Sequence, residues 1–191
     1  MGVKLVSTSG GSVEVNPPAT ASNFTQTLVP VTGTLAPLVS GTAVASTSGT
    51  SIDFTGIPSW VKRITISLDG VSFAAAGTAV VRLGVSNTLV TTGYVSSRIN
   101  LITIPTVAIA TFTDGIASVT TGAAASISTG SIVLTNLSGN TWVASGQTAK
   151  TNDNTYTLTN GSITLAGVLT NLSLVATTSS FDAGSINILY E

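Results

Sequence analysis

Cysteine and histidine are both absent from the 191-residue chain. Without cysteine the chain has no disulfide, no thiolate metal site and no cysteine nucleophile. Without histidine it lacks the commonest general base of enzymes and the commonest metal ligand of proteins. Thiol-based and imidazole-based chemistry are therefore excluded before any motif is considered.

Charged side chains are also scarce. Six Lys and Arg and seven Asp and Glu make up 7% of the chain and leave a net charge of −1, whereas soluble domains usually contain about 25% charged residues. So few basic residues provide no surface for nucleic acid or an anionic membrane. The chain also lacks an unbroken apolar run of about 18 residues, so we expect no transmembrane helix.

Hydrophobic residues make up 43% of the chain, and most of the remainder is Ser, Thr, Gly and Asn. Such a chain is too apolar to be a solvated disordered tail. Its solvent-facing positions must be mostly Ser, Thr and small apolar residues, which protect an isolated subunit poorly against association. We therefore expect an obligate homo-oligomer, in which identical subunits bury one another's surface.

Short runs of alternating apolar and polar residues fill most of the chain after residue 45, and Gly, Asn, Asp and Pro separate them. This pattern is typical of β-strands joined by turns. Dipeptides of Asp or Asn with Gly predict three of the turns, at Asp69-Gly70, Asp114-Gly115 and Asn160-Gly161. About ten strands and no helix predict an all-β fold, an antiparallel β-sandwich or jelly roll.

The first 45 residues have a different character. Their alternation is weak, and prolines interrupt it at positions 17, 18, 30 and 37, where a strand ladder would need backbone donors. Such a stretch cannot bury much on its own, so we expect an extended arm that gains order on another surface. The predicted organisation is an N-terminal attachment arm and linker over 1–45 and a jelly-roll-like β-sandwich domain over 46–191.

Several segments of the chain have a distinctive sequence: 52–65 (IDFTGIPSWVKRIT), 139–146 (GNTWVASG), 161–167 (GSITLAG), 181–191 (FDAGSINILYE) and, near the start, 16–28 (NPPATASNFTQTL) with 32–35 (TGTL). These segments resemble structural proteins of tailed bacteriophages and prophages, of the tail-fibre, appendage or head-decoration type. The resemblance covers most of the chain and is weakest between residues 98 and 130.

The resemblance implies a homotrimeric part of the virion, made in the bacterial cytoplasm and placed on the exterior of the particle. It brings no catalytic residues, and we expect no enzymatic activity, no cofactor and no metal. The expected function is a head fibre, a capsid decoration or a tail-fibre-like appendage, fastened to capsid or tail proteins by the arm. The alternative is a tail-fibre module that binds carbohydrate on the host surface.

Four aromatic residues are the candidates for ligand or interface contacts: Trp60, Tyr94, Trp142 and Tyr156. They could stack on sugars, or they could pack in the core or between subunits, which is the commoner use of large aromatic side chains. We expect Trp60 to be buried, so its truncation to Ala should cost about 3–5 kcal/mol of stability.

Five aspartates are the acidic candidates: Asp53, Asp69, Asp114, Asp153 and Asp182. A glycosidase needs two carboxylates that face each other across the sugar, and nothing in the spacing predicts such a pair. Two of the five precede glycine at predicted turns, which is a common turn sequence. We expect Asp53 and Asp182 to pair with Lys62 or Arg63.

Overall fold

The structure is a computed structural model that describes residues 3–6, 8–15, 37–103, 106–150, 152 and 154–191. It divides into two compact units, Met1–Leu35 and Ala36–Glu191. In the first unit the described residues form an antiparallel hairpin of strands β1 (Val3–Val6) and β2 (Ser12–Val15). Residues 16–36 of the predicted arm lie outside the described residues, so the arm stays a prediction.

The second unit is built from strands, and its described residues contain no helix. Its fourteen strands are β3 (Val39–Ser40), β4 (Val44–Ala45), β5 (Ser51–Thr55), β6 (Arg63–Phe73), β7 (Gly77–Val85), β8 (Thr88–Leu89), β9 (Val95–Thr103), β10 (Thr106–Phe112), β11 (Ile116–Thr121), β12 (Ser128–Ser138), β13 (Thr141–Lys150), β14 (Thr155–Thr164), β15 (Leu169–Thr178) and β16 (Phe181–Tyr190).

These strands form two antiparallel sheets. The large sheet has nine strands in the order β10-β9-β14-β13-β12-β6-β16-β3, with β4 also paired to β16. The small sheet has five strands in the order β11-β7-β15-β5, with β8 paired to β7. The predicted all-β, antiparallel β-sandwich is therefore confirmed.

One hydrophobic core lies between the two sheets. Alternate residues of the strands are buried, as the period of two in a β-strand requires. In β5, for example, Ile52 and Phe54 are buried and the other three residues are exposed. At one end of the core Phe73 and Phe181 stack with their ring centroids 5.1 Å apart. Each fully buried side chain of this size contributes about 1.5–3 kcal/mol, so the alternation supplies most of the driving force for folding.

The predicted turn at Asp69-Gly70 is wrong, because β6 continues through it to Phe73. Gly70 has a φ of 64°, and the pairing of β6 with β16 shifts its register between Ala183 and Ser185. This combination is a β-bulge, which inserts one extra residue and bends a continuous strand. The glycine is needed for the left-handed backbone of the bulge.

The predicted turn at Asn160-Gly161 is also wrong, because both residues lie inside β14, between β13 and β9. A Cβ on Gly161 would lie only 2.8 Å from Ile116 Cδ1 and 2.8 Å from Ser96 Cβ. Glycine is therefore required here because β11 of the small sheet packs closely against β14. By contrast, Asp114-Gly115 does lie in a connection, which joins β10 of the large sheet to β11 of the small sheet.

The segment 39–45, which the sequence placed in the arm and linker, instead pairs with β16 at the edge of the large sheet. The backbone N–H of Gly41 donates to the Ile188 carbonyl at 2.7 Å, and the Ser46 hydroxyl donates to the Ala183 carbonyl at 2.8 Å. Small side chains in this segment allow its backbone to approach β16. Because the segment shows little alternation of apolar and polar residues, the sequence did not predict these two short strands.

We predict that Gly161→Ala destabilises the protein by about 1–3 kcal/mol, the usual cost of inserting a methyl group into a filled space. The matched control is Gly122→Ala, because a Cβ at Gly122 would have no neighbour within 4 Å. Denaturant unfolding of both variants measures the difference. Equal stability of the two variants would show that β11 does not press on β14.

Candidate functional site

The four candidate aromatic residues fall into two classes. Tyr94 and Trp142 are buried, with 2% and 4% of their surface exposed, whereas Trp60 and Tyr156 are exposed at 40% and 37%. A sugar-stacking function for Tyr94 and Trp142 is therefore wrong, since both belong to the hydrophobic core. The expectation of a buried Trp60 is also wrong, and the loss of 3–5 kcal/mol for its truncation does not apply.

Tyr94 completes the hydrogen bonding of a neighbouring strand. Its hydroxyl accepts a hydrogen bond from the backbone N–H of Leu83 at 2.7 Å and lies 3.4 Å from the Leu83 carbonyl, to which it donates. The pairing of β7 with β11 covers Gly77 to Val81, so it does not reach Leu83. The Tyr94 hydroxyl therefore supplies a partner that β11 does not. Burial, which penalises the phenolate, raises the pKa of Tyr94 to about 12.

We predict that stability falls above about pH 10, because the unfolded chain loses the Tyr94 proton there and the folded chain keeps it until about pH 12. The contribution of Tyr94 is fully present below that window and is lost as the pH rises through it. Tyr94→Phe should remove this part of the pH dependence and lower stability at neutral pH by about 1–2 kcal/mol, since the Leu83 N–H loses its acceptor.

Urea unfolding at about pH 8 and about pH 11 measures both effects, with Tyr156→Phe as the exposed control. An unchanged pH dependence in Tyr94→Phe would contradict the assignment.

An aromatic pair, the exposed Trp60 and the half-buried Tyr190, lies where β6 begins and β16 ends. The rings of Trp60 and Tyr190 are 5.8 Å apart between centroids and tilted by 48°. Beside them Arg63 forms an ion pair with Glu191 at 3.2 Å, and the Lys62 amine donates to an amide oxygen at 3.3 Å. We call Trp60, Lys62, Arg63, Tyr190 and Glu191 the Trp60 cluster. The sequence identified Trp60 as a candidate but not Tyr190. The end of β16 comes beside the start of β6 only through strand pairing, which the local sequence does not show.

The aspartates do not form the ion pairs predicted for them. Asp53 accepts hydrogen bonds from the hydroxyls of Ser51 at 2.6 Å and Ser173 at 2.5 Å, and Asp182 accepts one from the Ser72 hydroxyl. Serine side chains, one on β5 itself and two on adjacent strands, therefore take the place of the expected basic partners. The cation at position 63 pairs with the carboxylate of residue 191 instead.

Of the other aspartates, Asp114 is the one held by an ion pair, with Arg82 at 2.7 Å. Arg82 also donates to the Asp114 carbonyl at 2.8 Å, which fixes the connection between β10 and β11. Asp69 is exposed, and Asp153 lies outside the described residues. Within the described residues no three Asp or Glu side chains are grouped as a metal site would require.

Arg98, on β9, is buried without a counter-ion in the described part of the chain. Its Nε and Nη1 have no hydrogen-bond partner, and its guanidinium carbon lies 5.1 Å from the centre of the Phe112 ring. Burial lowers the pKa of Arg98. The residue opposite on β10 is Ala110, whose small side chain leaves room for the guanidinium. The ring face compensates part of the desolvation cost.

The outer face of β13, β14, β9 and β10 carries no charged side chain in the described strands, and we call it the charge-free face. Strand register places Leu158 beside Ile99 and Ile99 beside Ile109. The next row along the strands is Tyr156, Leu101 and Val107. We call these six residues the apolar patch. Composition predicted a weakly polar surface, and register concentrates its apolar part on three neighbouring strands.

A scan against models of known families, a search of curated proteins and a search of solved structures each find no match to the chain. Within the described residues, no helix is long and apolar enough to cross a membrane.

Proposed function

We propose that the chain is a non-enzymatic structural protein that assembles into a homo-oligomer on the exterior of a tailed-phage virion. The observation that carries the proposal is the charge-free face, where Ile109 is 69% and Val107 54% exposed. A contiguous apolar surface of this kind favours association over solvation. Covering it with identical subunits keeps the particle soluble without additional charge.

The virion location rests on the resemblance of segments such as 52–65 and 181–191. The first of these segments runs through β5 into β6 and the second covers β16, so residues of both sheets carry it. On this basis the protein is a head fibre, a capsid decoration or a tail-fibre-like appendage, and the expected number of subunits is three.

The proposed attachment to capsid or tail proteins uses the N-terminal residues. Because 39–45 belong to the sandwich, the attaching segment is shortened to residues that precede position 36. That segment contains two charged side chains, Lys4 and Glu14. Attachment should therefore depend on apolar contacts and added backbone hydrogen bonds, and it should change little with ionic strength.

The proposal includes no catalytic step and no cofactor. Asp53, Asp114 and Asp182 each have side-chain partners in the fold, and these contacts account for them structurally. Two of them lie on strands of different sheets, Asp53 on β5 and Asp182 on β16, whereas a glycosidase requires two carboxylates on either side of one bond.

Immunogold electron microscopy of particles that carry an epitope-tagged chain tests the location. We predict gold on the particle exterior for the full chain. A variant that lacks residues 1–35 should remain a folded oligomer and stay in the particle-free supernatant. Full-length protein that never joins particles would overturn the proposal, and normal incorporation of the shortened chain would overturn the arm.

The Trp60 cluster favours a second candidate function, the binding of host-surface carbohydrate. Its exposed Trp60 ring, held against the half-buried Tyr190, offers an apolar face for a sugar ring. Arg63 and Glu191 beside it offer a donor and an acceptor for sugar hydroxyls.

On a glycan array, this second function predicts binding that Trp60→Ala abolishes without a change in far-UV circular dichroism. Tyr156→Ala tests the other exposed aromatic residue. Val168→Ala is the control, since Val168 is exposed and belongs neither to the Trp60 cluster nor to the apolar patch. A wild-type chain that binds no glycan would eliminate the carbohydrate function.

A further inference from the structure

We propose that a second copy of this chain binds the charge-free face, over the apolar patch and along the free edge of β10. The inference rests on the proposed homo-oligomer and identifies the surface that holds it together. Two independent features of the large sheet, its edge and its outer face, support it.

The edges of the two sheets differ in how they are protected against pairing with another chain. At the far edge of the large sheet, β3 and β4 have two residues each. In the small sheet, β11 is interrupted by a register shift between Ala117 and Thr120. The other edge, β5, carries Asp53 and ends before Gly56. Short length, bulges and charge are the usual means of blocking edge pairing.

The β10 edge lacks these protections. Its seven residues, Thr106–Phe112, contain no charge and no proline, and within the part of the chain that the structure describes they pair on one side only, with β9. The pairing shifts only at its start, between Thr106 and Val107. A long, uncharged edge strand of this kind presents unpaired backbone groups that bind a further chain. The edge borders the apolar patch, to which it contributes Val107 and Ile109.

The size of the surface fits one partner subunit. Four strands spaced about 4.8 Å apart, each of roughly nine residues that rise about 3.3 Å, give a flat area of about 570 Å². Two copies in contact would bury about 1,140 Å², close to the lower limit of about 1,200 Å² for stable interfaces. The β10 edge adds to this area.

The chemistry of the face favours a copy of itself over a charged partner. In a closed symmetric assembly, residues near the symmetry axis meet their own counterparts, so a charge there would be repelled by itself. The charge-free face meets this requirement. Exposed charged residues of the large sheet, such as Arg63 and Asp69, lie on β6, beyond β12 and outside the face. A partner recognised by charge would bind the outer surface of β6 instead.

Sedimentation of purified full-length variants tests the surface. Ile109→Lys and Leu158→Lys each place a cation in the patch, and we expect the mass to fall from that of the oligomer to the 19.0 kDa of one chain. The matched control is Ser67→Lys, at an exposed position of β6 on the same side of the sheet, and it should keep the oligomeric mass. Circular dichroism and melting establish that all three variants fold.

A charge-reversal experiment provides the second readout. In an equimolar mixture of Ile109→Lys and Ile109→Asp chains, opposite charges can meet at most of the subunit contacts, even in a ring of three. The mixture should therefore recover a larger sedimenting mass than either variant, neither of which should assemble alone. Recovery would not follow if the substitutions had only damaged the fold.

Three outcomes would overturn the inference. If both lysine variants remain oligomeric, the subunits associate elsewhere, and the proposed homo-oligomer still stands. If the wild-type chain is a single subunit at high concentration, the homo-oligomer itself fails. If the wild-type chain is a single subunit and Ile109→Lys blocks its incorporation into particles, a different virion protein occupies the face.

Discussion

The structure depends on the hydrophobic contact between the two sheets. β6 and β12 at the middle of the large sheet, and β7 and β15 at the middle of the small sheet, direct their buried residues into one core. In a chain with 7% charged residues, ion pairs contribute little to this arrangement. One pair, between Arg82 and Asp114, fastens a connection between the sheets, and another joins strand ends at the surface. Apolar burial and backbone pairing therefore determine which side chains remain at the surface, where they can contact a partner.

The scarcity of charge shapes the polar interior as well. Serine and threonine hydroxyls serve as partners that charged residues provide in most proteins: Ser51 and Ser173 bind Asp53, and Ser72 binds Asp182. A hydroxyl costs less to bury than a charge, because one hydrogen bond satisfies it. Among the described residues two side chains are exceptions, since the Nε and Nη1 of Arg98 and the hydroxyl of Ser118 are buried without a hydrogen-bond partner. Arg98 lies beside Phe112 of β10, so the β10 edge also adjoins a buried guanidinium.

Alternation of apolar and polar residues was sufficient to predict the fold class, because a strand with one buried face must show a period of two. Turn dipeptides were less informative. Asp-Gly at 69–70 and Asn-Gly at 160–161 lie within strands of eleven and ten residues, where glycine serves a bulge in one case and close sheet packing in the other. These requirements arise from distant residues, such as Ile116 against Gly161, and local sequence does not contain them. The exposed position of Trp60 and its contact with Tyr190 also depend on register between β6 and β16.

The scarcity of basic residues around the charge-free face has a consequence for cleavage by proteases. Proteases of trypsin specificity cut after Lys and Arg, and the chain has none between Arg98 and Lys150. Arg98 itself is buried within β9, and strands resist cleavage because a protease must bind an extended segment that is free of pairing. Much of the surface that carries the apolar patch is therefore nearly devoid of cleavage sites for a common class of digestive enzymes. A composition poor in Lys and Arg thus also limits cleavage by proteases of this specificity.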